Sequence, residues 1–174
     1  MIGFPIGMMY ANAGEWLIHK HVLHGPGKKR DSYWSFHFHE HHQASRKHGM
    51  IDSDYERPVA GTHAQGKEAL GLIAACIVHA PLFPVAPFFT GAVWFSAAMY
   101  YRRHKRAHMD PEWARENLAW HYDHHMGPNQ DANWCVTWPW FDHVMGTRVP
   151  YAGTEREAKD IARREARERR RAAA

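Results

Sequence analysis

At 174 residues the chain is long enough for one domain and short for two, so a single core drawn from distant stretches is expected. The formal charge of +4 does not mark a nucleic-acid surface: residues 155–171 alone carry eight Lys or Arg against five Asp or Glu, and most of the basic excess sits there. Two distant cysteines, Cys76 and Cys135, form neither a CxxC nor a disulfide-dense pattern, which argues against thiolate metal ligation, suits a reducing compartment and leaves both as packing residues.

Residues 2–18 open the chain with a small, apolar segment that lacks a basic leader region and a small-residue cleavage site, so it reads as retained. A polar block follows over 19–68. Residues 69–101 then contain no Lys, Arg, Asp or Glu, although the mean hydropathy of the whole chain is -0.60. A run of that length is hard to place in a small water-surrounded domain, whereas a bilayer span needs roughly 20 apolar residues. Pro81, Pro84 and Pro87 divide it, because proline removes a donor and clashes with the preceding turn, so a two-helix hairpin is predicted. A hairpin would bring the blocks at 19–68 and 102–174 to one face. Lys28-Lys29-Arg30 and Arg102-Arg103-His104-Lys105-Arg106 flank the apolar segments, as expected of cytoplasmic ends. The expected fold is therefore all-α: a small integral-membrane, multi-pass helical domain over 1–153 with a cytosolic histidine-rich metal-binding cap. The competing fold is a helical bundle with 69–101 as a buried core hairpin. From Thr154 the chain is charged nearly all round and reads as a solvated helix or frayed tail.

Sixteen histidines are present, and ten fall into four clusters: His19-x4-His24, His37-x3-His41-His42, His104-x3-His108 and His121-x2-His124-His125. Helical residues three to five apart share a surface, so their imidazoles can converge on an ion. Imidazole suits Fe, Zn, Cu or Ni better than Ca or Mg. Zinc alone would use three or four histidines, and ten suffice for two metals. Neutral rings leave such cations uncompensated, so Glu15, Glu40, Asp123 and Asp142 are candidates to orient rings from behind. Trp134, Trp138, Trp140 and Phe141 read as packing or interfacial anchors, with a lid over the metals as the sharper alternative.

The run EWLIHKHVLHG, then HFHEHH, HKRAH and HYDHHMGPNQDANWCVTWPWFDHVMGT, over roughly residues 8–148, resembles the fatty acid hydroxylase/sterol desaturase superfamily of histidine-box membrane enzymes. That resemblance implies a non-haem di-iron centre that activates dioxygen, with zinc able to occupy the sites in purified material. It assigns His19 and His24 to the first box, His104 and His108 to the third, and His121, His124 and His125 to the fourth. The second box departs from the common HxxHH form because Phe38 stands where its first histidine would be. His37 with His41 and His42 is the preferred set, and His39 the alternative to His37. His143 reads as structural or as supporting a ligand from behind, and His79 as a helix-packing histidine.

The implied activity is O2-dependent hydroxylation or desaturation of a membrane lipid, with an acyl lipid first, a carotenoid second and a sterol third. With no haem or flavin segment evident, electrons would come from a separate reductase or carrier. No nucleic-acid partner is expected, and a homo-oligomer could complete a bundle this small. A non-catalytic metal-binding protein is the rival of another class, and a zinc hydrolase a weaker one.

Overall fold

The computed structural model describes residues 2–173, which form eight α-helices, short 3-10 and π turns, and no strand. In chain order the helices are α1 (Gly3–Ile18), α2 (His42–Lys47), α3 (Ala64–His79), α4 (Pro87–Met109), α5 (Pro111–Asn117), α6 (Ala119–Met126), α7 (Trp140–Val144) and α8 (Glu155–Ala172). The hairpin is present: α3 ends at His79, a proline-bearing 3-10 turn follows, and Pro87 starts α4, where its fixed φ suits a first helical position. α4 runs 23 residues until Asp110 accepts a hydrogen bond from the Trp113 amide and caps α5.

α1 lies along α4. Gly7 permits the contact, since a Cβ there would stand 2.6 Å from the Phe89 carbonyl oxygen and 2.8 Å from the Ala92 Cβ. α3 also packs on α4 but makes little contact with α1, which leaves a crevice between α1 and α3. At the lower end of α4, Met50, Ala107, Leu118, Tyr122 and Val136 form the main apolar core. A second core joins Trp16, Trp134 and buried Cys135. α8 is docked at its start: Thr154 caps it, and buried Glu157 takes two 2.8 Å hydrogen bonds from Arg115.

The expectation of a multi-pass membrane protein with its histidines on the cytoplasmic side is corrected. No helix among the described residues is long and apolar enough to cross a membrane. α1 and α3 have 16 residues each, rising about 24 Å against a hydrocarbon core of about 30 Å. α4 is longer only because it continues through Arg102, Arg103, Lys105 and Arg106. The uncharged stretch is long because it covers most of α3, a connection and most of α4. It is not a buried core hairpin either, since Leu70, Ile73, Ile77 and Val78 are more than half exposed.

Candidate metal centre

The ten clustered histidines are all buried, and they meet below the α1–α4 pair. Five of them, His19, His24, His37, His42 and His124, bring ring nitrogens within 4.8 Å of one another, and His41, His104, His108 and His125 do the same beside them. His121 joins the second group at its edge, with its Nε2 3.1 Å from that of His108. Such groups can hold metal ions.

Backbone geometry sorts the rings. In an α-helix, residues five apart point about 140° away from each other, so the spacing of His19 to His24 and of His37 to His42 would separate their rings. Both intervals are π turns instead, over His19–Leu23 and His37–His41, each closed by an amide of residue i+5 on the carbonyl of residue i. The wider turn carries the fifth residue back to the face of the first. His104/His108 and His121/His125 keep ordinary α-helical spacing and enter the second group. Each His-His dipeptide straddles the two: His42 and His124 face the first group, His41 and His125 the second. The His42 and His125 rings lie only 4.3 Å apart, centroid to centroid, so the groups adjoin.

The tautomers make the case for cations. His19 Nδ1 donates to the Trp134 carbonyl at 2.5 Å, and His124 Nδ1 to the Ala132 carbonyl at 2.7 Å. A carbonyl can only accept, so each neutral ring carries its proton on Nδ1 and turns a bare Nε2 inward. His24 Nδ1 faces the Asp131 carboxylate at 3.4 Å with the same result. Nε2 of His42 lies 3.1 Å from those of His24 and His124 and 3.2 Å from that of His37, and Nε2 of His19 lies 3.0 Å from that of His37. One proton on His42 can satisfy one of its three neighbours. The remaining lone pairs face one another unless a cation lies among them. Nitrogens bound at 2.0–2.1 Å to one ion stand about 3 Å apart when mutually perpendicular, which is the spacing found.

The second group is held differently. His41 Nδ1 meets Asp52 Oδ2 at 2.7 Å, His104 Nδ1 meets Glu68 Oε2 at 2.5 Å and the Tyr55 hydroxyl at 2.9 Å, and His108 Nδ1 donates to the Met50 carbonyl at 2.8 Å. Nε2 of His41, His104 and His125 is then buried with no hydrogen-bond partner, a costly state in the absence of an ion. Burial, reinforced by the positive charge each neighbour would carry, pushes His19, His37, His42, His108, His121 and His125 well below the ordinary histidine range, and burial pushes His124 to about 3. These rings are neutral at physiological pH, as ligation requires.

Of the carboxylates expected behind the rings, none bonds a clustered ring directly. Glu15 clamps the loop over the first group, accepting from the Val136 amide, from the Thr137 amide at 2.9 Å and from the Thr137 hydroxyl at 2.6 Å, and burial raises its carboxyl to about 7. Asp142 accepts from the Trp134 and Cys135 amides at 2.9 Å, so it acts on His19 through the Trp134 backbone. Asp123 is taken by Arg148 and the Ala152 amide, and Glu40 is exposed, 3.9 Å from Lys67. Asp52, Glu68, Asp131 and Tyr55 were not anticipated. Glu68 carried a faint signal as the last charge before the uncharged stretch.

His39 turns away from both groups to the Lys28 carbonyl at 2.9 Å, whereas His37 sits inside the first. His143 is exposed on α7 rather than behind the ligands. Trp134 packs edge-on against His24 at 4.9 Å, and Trp138 and Trp140 stack on each other at 5.0 Å. Above the histidines the α1–α3 crevice forms a mainly apolar chamber of about 330 Å3, floored by His19, His37 and His41. No family model, curated protein or solved structure matches the chain.

Proposed function

We propose that the chain is an O2-dependent oxidoreductase, a hydroxylase or desaturase of an acyl lipid, working at two histidine-held irons and drawing electrons from a separate reductase or carrier. The observation that carries this reading is the junction of two lone-pair-lined histidine groups with one apolar chamber. The order of the histidine boxes, which resembles the fatty acid hydroxylase/sterol desaturase superfamily, supports it independently.

His19, His24, His37, His42 and His124 would hold one ion, and His41, His104, His108 and His125, with His121 beside them, the other. Bound there, such a pair would supply dioxygen activation and removal of hydrogen from an unactivated C–H bond. The chain's own residues do the rest. Carbonyls and carboxylates on Nδ1 keep the rings from rotating and raise their basicity as ligands. Asp52 and Glu68 bring negative charge to the second group, while Asp131 reaches the first from the surface. Ile18, Leu72 and Val93 help to line the chamber, exclude water and present only an apolar chain to the floor.

The test is iron-loaded protein with reductant, O2 and host lipids, read by oxygen uptake and by mass spectrometry of the lipids. Oxidised or desaturated acyl chains are expected, and His121→Ala or His124→Ala is expected to abolish them while circular dichroism stays unchanged. Two bound irons with no oxygen uptake and no altered lipid would leave a metal-binding protein and sink the enzyme reading.

A further inference from the structure

We propose that Tyr10 and His79 are the end stop of the chamber above the histidines, and that they set the length of the linear acyl chain it accepts. The identity of the ligand as an acyl chain rests on the oxidoreductase reading; the stop rests on geometry of its own.

At the far end from His19, His37 and His41, the side chains of Tyr10 on α1 and His79 on α3 close the crevice. The Tyr10 hydroxyl donates to His79 Nε2 at 3.1 Å, and His79 Nδ1 donates to the Ala75 carbonyl at 2.8 Å. The pair therefore uses up its own polar atoms and offers the chamber ring surface. The rings are 5.5 Å apart, and Phe89 backs Tyr10 at 5.2 Å. Tyr10 is half exposed, so truncating it would open the chamber outward.

Between floor and stop, small residues interrupt the larger apolar walls. Gly14 and Gly71 line the chamber, and a Cβ added at either would meet nothing within 4 Å. Ala11, Ala75 and Ala97 continue the same surface. Tyr10 and His19 are nine residues apart on one helical path, which places the stop about 13 Å above the floor. A volume of about 330 Å3 is at the lower end for small-molecule sites. Such a narrow, finite space suits one unbranched chain and disfavours a fused-ring ligand.

The experiment is calorimetric titration of the full-length protein, without reductant, with saturated fatty acids of increasing length. Affinity should rise about fourfold per methylene while the chamber fills and then stop rising at a limiting length. Tyr10→Ala and His79→Ala should move that limit to longer chains, Gly14→Leu and Gly71→Leu to shorter ones, and Tyr10→Phe should leave it in place. A variant that lost its fold would lose every chain at once, whereas the proposal requires displacement of the limit in two opposite directions. The same limit in all variants, or no limit in the unaltered protein, overturns it. Length-limited binding without oxidised product under iron, reductant and O2 would retain the stop and refute the enzyme; oxidation with the limit unmoved by these variants would do the reverse.

Discussion

The two histidine groups are assembled from different materials. The first is assembled on two π turns and held from behind by main-chain carbonyls of a loop, with His19 on Trp134 and His124 on Ala132. The second rests on α-helical i,i+4 pairs and is held largely by side-chain carboxylates, with His41 on Asp52 and His104 on Glu68. Wider spacing needs a wider turn, and the loop at 132–134 supplies carbonyls to the first group where Asp52 and Glu68 supply acids to the second. The first group should therefore depend on whatever anchors the loop, and the second on individual acids.

Acid should break both groups together, and it is the largest effect expected. In metal-free protein nine of the ten histidines titrate below their ordinary value of 6.5, so below that pH the unfolded chain binds protons that the folded chain refuses. Stability is thus complete above about pH 6.5 and falls steadily beneath it. Glu15 and Asp123 have the opposite sign, each carboxyl being raised by burial, and Glu15 favours the fold below its ordinary value of 4.5 and loses that contribution as pH rises through about 7, but they are two groups against nine. Denaturant titrations across this range check the slope; flat stability between pH 7 and 5 would contradict the neutral-ring assignment.

Asp142→Ala separates the groups. It strands the buried Trp134 and Cys135 amides and frees the Thr147 hydroxyl, costing about 3 kcal/mol of stability. The carbonyl behind His19 should be displaced, so metal content should fall toward one ion per chain with the second group still loaded. Equal loss from both groups would mean that they are not independently supported.

Glu68→Gln is the finer test. It keeps the shape behind His104 but removes the charge, so affinity at the second group should drop roughly 10–100-fold. Competition with a chelator should show one weakened ion and one unchanged; two unchanged ions would leave Glu68 without a role.

Much of this was legible in the chain. Pro81, Pro84 and Pro87 mark the hairpin, because a missing donor interrupts a helix whatever surrounds it. The ten histidines stand out by spacing, and the structure brings them together. Other features were not legible. Charge-free length over 69–101 suggested spans, but it sums pieces of two helices, and only their individual ends decide whether either can cross. Which carboxylate lies behind which ring depends on long-range folding: Asp52 is near His41 in sequence, while Glu68 and Asp131 reach His104 and His24 across 36 and 107 positions.

HFHEHH makes the division clear. Residue chemistry by itself determined that this stretch could ligate metals, since imidazole nitrogens at such density have few other uses in a buried place. The choice among its four histidines was tertiary. A π turn from His37 closes onto His42, sending both rings to the first group, His41 to the second and His39 outward to Lys28. A local pattern states which rings are available; the pitch of the backbone, set by packing against distant helices, decides where each one points.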